Sequence, residues 1–195
     1  MKIFIHRVNQ SSDLREISSN FGVEIDIRTI GKEIILSHDP FFQGELFTDW
    51  LNSWKGQALI LNVKEDSLET SILSILSKHQ VSDYFFLDQS YPSIRKMIAS
   101  GNSKLATRVS DFEDLETALI SGSDWVWLDS FSGNWRFLQK AVPAIKENKQ
   151  RVCLVSPELH RSDSDIELLE LQELIKNLDS EIDAVCTKFP KKWAL

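Results

Sequence analysis

The sequence predicts an α/β protein folded as one compact (β/α)8, or TIM, barrel over residues 1–195. Short β-rich runs alternate with helix-like segments along the whole chain. Eight such strands recur about every 20 to 30 residues, which argues for a parallel sheet with crossover helices and, at eight units, for closure into a barrel. No glycine-rich phosphate loop follows the first strand, where an open doubly wound sheet would carry one. Polar and charged residues also collect at the C-terminal ends of the strands, the face on which this architecture builds its sites.

The elements follow in order. Lys2–His6 reads as a strand and Ser12–Ser19 as a short helix; Val23–Arg28 is the second strand, with an extra strand at Glu33–Ser37. Gly44–Trp54 reads as helical, Ala58–Lys64 as a strand, and Ser67–His79 as a helix with Leu68, Ile72, Ile75 and Leu76 on one face. Tyr84–Asp88 is a strand, and Tyr91–Ser100 a helix with Pro92 in its first turn and Gly101 after its end. After the strand Lys104–Arg108, Asp111 has the chemistry of an N-cap for a helix that Gly122 ends. Asp124–Asp129 is a strand and Trp135–Asn148 a helix despite Pro143. Arg151–Ser156 is a strand, Asp163–Leu178 a long amphipathic helix, and Ile182–Thr187 the last strand.

Composition narrows the function. With 22 basic and 29 acidic residues the net charge is −7, so generic nucleic-acid or anionic-membrane binding is not expected, since both draw on a basic surface. A small anionic ligand in a locally positive pocket remains open. Cys153 and Cys186 lack metal-site spacing and read as buried thiols on helix-facing positions. With no signal-peptide core or membrane span, the expectation is a cytoplasmic protein with no membrane insertion.

Alternation sorts the strand residues into two faces. Val23, Ile25 and Ile27 share the helix-facing side of strand two, so Glu24, Asp26 and Arg28 point inward; Leu61 and Val63 face out, so Asn62 and Lys64 face in. His6 shares a face with Phe4. Asp88, Arg108, Asp129, Ser156 and Thr187 close later strands, with Trp127 on the face of Asp129 and Glu158 just beyond. Burying so many polar groups is costly unless they bind one another, a metal or a ligand. A self-satisfied salt-bridge network is the plain reading; a functional site is the sharper one.

In order along the chain stand His6-Arg7, Gly22-Val23-Glu24-Ile25-Asp26, His38-Asp39-Pro40, Leu61-Asn62-Val63-Lys64 and Thr187-Lys188-Phe189-Pro190. This ordered set resembles the glycerophosphodiester phosphodiesterase family across nearly the whole chain. The resemblance implies metal-dependent hydrolysis of phosphodiesters such as glycerophosphocholine to glycerol 3-phosphate and an alcohol. It implies that His6 and His38 are the acid and base. Glu24, Asp26 and Asn62 would hold a divalent cation, Mg²⁺ or Ca²⁺, and Arg7 and Lys64 would contact the phosphate. From their strand-end positions, Arg108 is expected to join the phosphate contacts, and Trp127, Asp129 and Glu158 to line the pocket. The chemistry agrees: histidines exchange protons near neutrality, carboxylates on one strand face share a hard cation, and guanidinium or ammonium groups hold phosphate oxygens.

The chain departs from the family pattern at several points. Asn62 stands where the family has a glutamate, Val8 where it has glycine, and Lys188 where its last turn has aspartate. The Pro-Glu-Asn-Thr-like segment is reduced to Asn9, and the large insertion after strand two is missing. These changes keep open a second function class, a degenerate barrel that binds a phosphorylated ligand without turnover. A sugar-phosphate isomerase or aldolase barrel fits less well, because Val155–Arg161 and Lys188–Leu195 lack the glycines of its phosphate loops.

Overall fold

The protein is described here by a computed structural model, which covers residues 1–161, 164–178 and 181–193. Its strands are β1 (Lys2–Ile5), β2 (Gly22–Ile30), β3 (Glu33–Leu36), β4 (Glu45–Leu46), β5 (Leu59–Val63), β6 (Tyr84–Leu87), β7 (Ala106–Val109), β8 (Trp125–Leu128), β9 (Arg151–Val155) and β10 (Ala184–Thr187). The helices are α1 (Ser11–Glu16), α2 (Phe47–Leu51), α3 (Glu69–Lys78), α4 (Tyr91–Ala99), α5 (Leu115–Ile120), α6 (Leu138–Glu147), α7 (Asp165–Lys176) and α8 (Pro190–Trp193).

The parallel strands run β6–β5–β2–β1–β10–β9–β8–β7. The circuit is completed by one parallel bridge, Phe86 with Leu105, and by the Phe86 N–H donating to Lys104 O at 2.9 Å. This is the expected (β/α)8 barrel. β3 and β4 are an antiparallel extension hung on the upper half of β2, with Ile27 opposite Leu36 and Ile35 opposite Leu46.

Three apolar groups hold it. Val23, Ile25, Ile27, Leu59, Leu61 and Val63 pack outward against the helices of the first half, and Val126, Leu128, Val152 and Leu154 do so in the second. The barrel interior holds Phe4, Ile60, Phe85, Trp125 and Trp127. Phe85 stacks on Trp125 at 4.6 Å between ring centroids and meets Phe4 edge-on at 5.9 Å, so the floor is a dry aromatic plug and polarity is confined to the mouth. Gly22 is part of this plug, because a Cβ there would stand 2.3 Å from the Phe4 ring. Gly22→Ala is therefore expected to overpack the core and cost about 1–3 kcal/mol, read as a lower urea midpoint.

Several local expectations are corrected. Gly44–Trp54 is not one helix: Glu45–Leu46 pairs with β3, and the helix covers only Phe47–Leu51. The cap of α5 is Asp114, which accepts from Thr117 N at 2.8 Å, whereas Asp111 accepts from Phe131 N at 2.6 Å and Ser132 N at 3.0 Å, pinning the loop after β8. The start expected for α7 at Asp163 lies outside the described residues. α8 follows the last strand where only a turn was expected. Cys153 and Cys186 are free and buried as expected, but they face the barrel interior, not the helices. Cys153 is registered with Trp127 and Ala184, and all three belong to the interior group. No helix among the described residues is long and apolar enough to cross a membrane.

Candidate functional site

The mouth of the barrel holds a cavity of about 240 Å³ lined by polar side chains from almost every strand end. His6, Arg7, Glu24, His38, Asn62, Lys64, Arg108, Trp127 and Asp129 all line it, as do Asp88 and His160.

The turn after β1 is held from both sides. The His6 N–H donates to Thr187 O at 3.0 Å, the Val8 N–H donates to Glu24 O at 2.8 Å, and Trp50 Nε1 donates to Val8 O at 3.0 Å. Trp50 is thus a structural residue. Arg7 sits at φ 59°, a left-handed conformation unusual away from glycine, and this turns its N–H onto Glu24 Oε2 at 2.6 Å. Asp88 adopts φ 60° at the end of β6, so the cavity is bordered by two residues of this rare geometry, which tends to mark functional sites.

Glu24 and Asp26 are fully buried, as alternation requires. Glu24 accepts from Arg7 N and from Asn62 Nδ2 at 2.8 Å. Burial, and next the neighbouring Asp26 charge, push its carboxyl up to about 7. Asp26 is gripped by Asn9, which donates to Oδ2 at 2.9 Å and accepts from the Asp26 N–H at 2.8 Å. Arg7 Nε lies 3.5 Å from Asp26 Oδ2. Lys64 Nζ lies 3.3 Å from Asp26 Oδ1 and 3.6 Å from Asp88. His6 Nε2 is 3.9 Å from Glu24, while its Nδ1 is buried with no hydrogen-bond partner. Burial, then the Arg7 charge, lower its pKa to about 4, leaving a neutral ring with a free nitrogen at neutral pH.

His38 reaches the cavity from the hairpin. The Ser37 N–H donates to Asp26 O at 3.0 Å, Arg28 Nε donates to His38 O at 3.0 Å, and His38 Nδ1 is 2.7 Å from Asp39 Oδ1. Across the mouth, Arg108 donates through Nη1 to Asp129 at 2.7 Å and through Nη2 to Asp88. Asp129 is 1% exposed and also takes His160 Nε2 at 2.7 Å.

Two residues behave otherwise than expected. Glu158 is absent from the cavity wall: its oxygens are taken by Thr187 Oγ1 at 2.5 Å, Lys188 N at 2.9 Å and Ser156, so it ties β9 to β10 beneath the rim. His160, in the loop that follows the 3-10 turn Pro157–Leu159, lies on the wall. Asn9 carries more than its weak sequence signal, since it sets the orientation of Asp26.

For a divalent cation, the fitting donors are Glu24, Asp26 and Asn62. Asp26 and Asn62 are cross-strand neighbours, and both Oδ1 atoms are buried without a hydrogen bond, the Asp26 one facing Lys64 Nζ at 3.3 Å, so a hard, oxygen-seeking ion would meet two oxygens it can use. The set is short of charge, because no group of three His, Cys, Asp or Glu able to hold a metal occurs among the described residues.

No protein-family model matches the chain, and no curated protein does. Solved structures do. A glycerophosphodiester phosphodiesterase from Parabacteroides distasonis superposes with a TM-score of 0.69 at 15% identity, covering 98% of this chain and 94% of that one. One from Agrobacterium tumefaciens gives 0.69 at 13% identity, covering 100% and 97%. The chain has the fold of the glycerophosphodiester phosphodiesterases. Another barrel, phosphoribosyl anthranilate isomerase from Thermus thermophilus, gives 0.55 at 11% identity, covering 96% and 86%. The phosphodiesterase barrels are thus the nearer match in shape of the two kinds, in line with the resemblance read from the ordered motifs.

Proposed function

We propose that this protein hydrolyses a small glycerophosphodiester or related phosphodiester, with His6 and His38 as the proton-transferring pair. The observation that carries the reading is the convergence of His6, Arg7, Glu24, His38, Asn62 and Lys64 on one cavity at the mouth of a phosphodiesterase-type barrel.

Arg7 and Lys64 offer cations to a phosphate that displaces part of their pairing to Asp26. Arg108 keeps N–H donors beyond those given to Asp88 and Asp129. The neutral His6 ring takes the proton of an attacking water. Glu24, Asp26 and the Asn62 amide oxygen would hold a divalent cation, Mg²⁺ or Ca²⁺, whose charge would offset that building on the phosphoryl oxygens. The amide in place of a third carboxylate makes that ion weakly held. The reading also assigns the protein to the cytoplasm, in keeping with two unpaired, buried thiols.

The test is hydrolysis of a glycerophosphodiester panel with Mg²⁺, Ca²⁺, Mn²⁺ or EDTA. Turnover is expected with at least one cation. Asn62→Glu is expected to bind that cation more tightly by calorimetry. Absence of turnover from folded protein under every condition would leave a barrel that binds a phosphorylated ligand without turning it over.

A further inference from the structure

The ring of strands is joined least firmly between β6 and β7, where Phe86 and Leu105 form a single parallel bridge. A groove of about 680 Å³ opens along this seam, beside the cavity of about 240 Å³ at the mouth. The two share Leu87, Asp88 and Arg108, so one molecule can occupy both. The cavity alone is smaller than the roughly 300–1,000 Å³ of a site that encloses a small molecule, and the groove supplies the remaining space.

The chemistry of the groove differs from that of the cavity. Its floor is apolar, from the buried Leu87, Ile94 and Ala106, and its walls carry the rings of Tyr91, Phe112 and Phe131. Phe112 is 82% exposed and stands 5.8 Å from Phe131 between ring centroids, so these rings form an uncovered patch and not isolated surface residues. The turn after β7 fixes this wall: the Ser110 N–H donates to Glu113 O at 3.0 Å, and the Phe112 N–H donates to Ser110 Oγ at 3.1 Å. Charge is unbalanced here. Asp88, Glu113 and Asp114 line the groove with one cation, Arg108, an excess of two negative charges. Counting the partners that reach in from the cavity, Asp129 on Arg108 at 2.7 Å and Lys64 on Asp88 at 3.6 Å, leaves the excess at two. Glu113 is loosely matched, with Oε1 3.8 Å from Arg108 Nε. Such a wall repels a second anion, and carboxylates beside aromatic faces attract a cation.

We propose that the seam groove binds one alcohol arm of the substrate and selects an arm that carries a positively charged nitrogen, with Phe112 and Glu113 as the selecting residues. This rests on the phosphodiesterase reading and adds to it a preference among diesters. The phosphate stays in the cavity with Arg7 and Lys64, and Arg108 marks the border. The cationic arm crosses that border and lies over the aromatic rings, with the carboxylates beside it.

A pair of isosteric substrates tests this: glycerol 3-phosphate esterified with choline, and with the neutral analogue in which a carbon replaces the choline nitrogen. The two arms share a shape and differ in charge. With the divalent cation that supports turnover, wild-type kcat/KM is expected to favour the cationic ester by about 5–30-fold, mostly through KM, and added salt to shrink that ratio. Phe112→Ala and Glu113→Gln should each bring the ratio toward one by slowing the cationic ester more than the neutral one. A loss shared equally by both esters would make the two residues structural and overturn their assignment. A wild-type ratio near one would overturn the selection itself. No turnover of either ester by folded wild-type protein would sink the phosphodiesterase reading and this proposal with it, an outcome distinct from an active enzyme that ignores the charge.

Discussion

Replacing His6 by alanine is expected to reduce kcat for any phosphodiester substrate by about 10²–10⁴-fold, while KM stays near its wild-type value. The expectation follows from where the ring sits. Its backbone is tied to β10 through Thr187 O, and its Nε2 faces Glu24 at 3.9 Å without a close bond. Its Nδ1 is buried with no partner at all. An unpartnered buried nitrogen costs stability and is kept where a ligand or reacting proton uses it. Since burial and the Arg7 charge hold its pKa near 4, the ring is an acceptor at neutral pH without waiting for deprotonation. In the proposed reading Arg7, Lys64 and Arg108 bind the phosphate, so the loss belongs in the chemical step. The alanine variant also leaves a gap open to the cavity, and free imidazole in the buffer should restore part of the lost rate. A variant that raises KM with kcat intact would make His6 a binding residue.

How far these features are legible in the sequence depends on which physical signal each residue carries. Glu24 and Asp26 are legible because β2 alternates: Val23, Ile25 and Ile27 need the helices, so the carboxylates have only the interior left. The run Val152-Cys153-Leu154-Val155 is apolar throughout, so periodicity cannot choose a face, and Cys153, expected toward the helices, faces the interior. Asp111 and Asp114 both have cap chemistry, and only the path of the chain decides that Asp114 caps α5 while Asp111 serves the loop at Phe131 and Ser132. Glu158 looks like a strand-end pocket residue, but the hydroxyl of Thr187 and the N–H of Lys188 on the neighbouring strand claim it first. His160 gives no local signal: it follows a single 3-10 turn, and its place on the cavity wall is fixed by Asp129 on another strand. Residues whose partners lie along their own strand are readable from pattern. Those whose partners lie on another strand are not.

Glu24→Gln is expected to stabilise the protein above neutral pH in metal-free buffer while abolishing turnover. The Glu24 carboxyl is raised from 4.5 to about 7, by burial first and the Asp26 charge second. Between those values the folded protein holds a proton that the unfolded chain has released. Stability therefore falls with rising pH across that window: the contribution is complete below about 4.5 and is lost as pH passes through about 7. His6 has the opposite sign. Its pKa is lowered from 6.5 to about 4, so stability rises with pH between those values and offsets much of the Glu24 slope in the wild-type protein. Glutamine removes the first effect and leaves the second. It can also satisfy the site, since its carbonyl accepts from Arg7 N and its amide donates to Asn62 Oδ1, unpartnered in the wild type, once that side chain turns over. Urea midpoints with EDTA should match closely near pH 5 and favour the variant at pH 8 by on the order of 1–3 kcal/mol. A variant less stable than wild type at pH 8 would show that the carboxylate is already compensated by Lys64 and Arg7. The expected gain has a functional meaning. A buried carboxylate beside Asp26 that weakens the fold at working pH is retained where its charge is used, as a cation ligand or as the partner of His6, and stability is traded for the site.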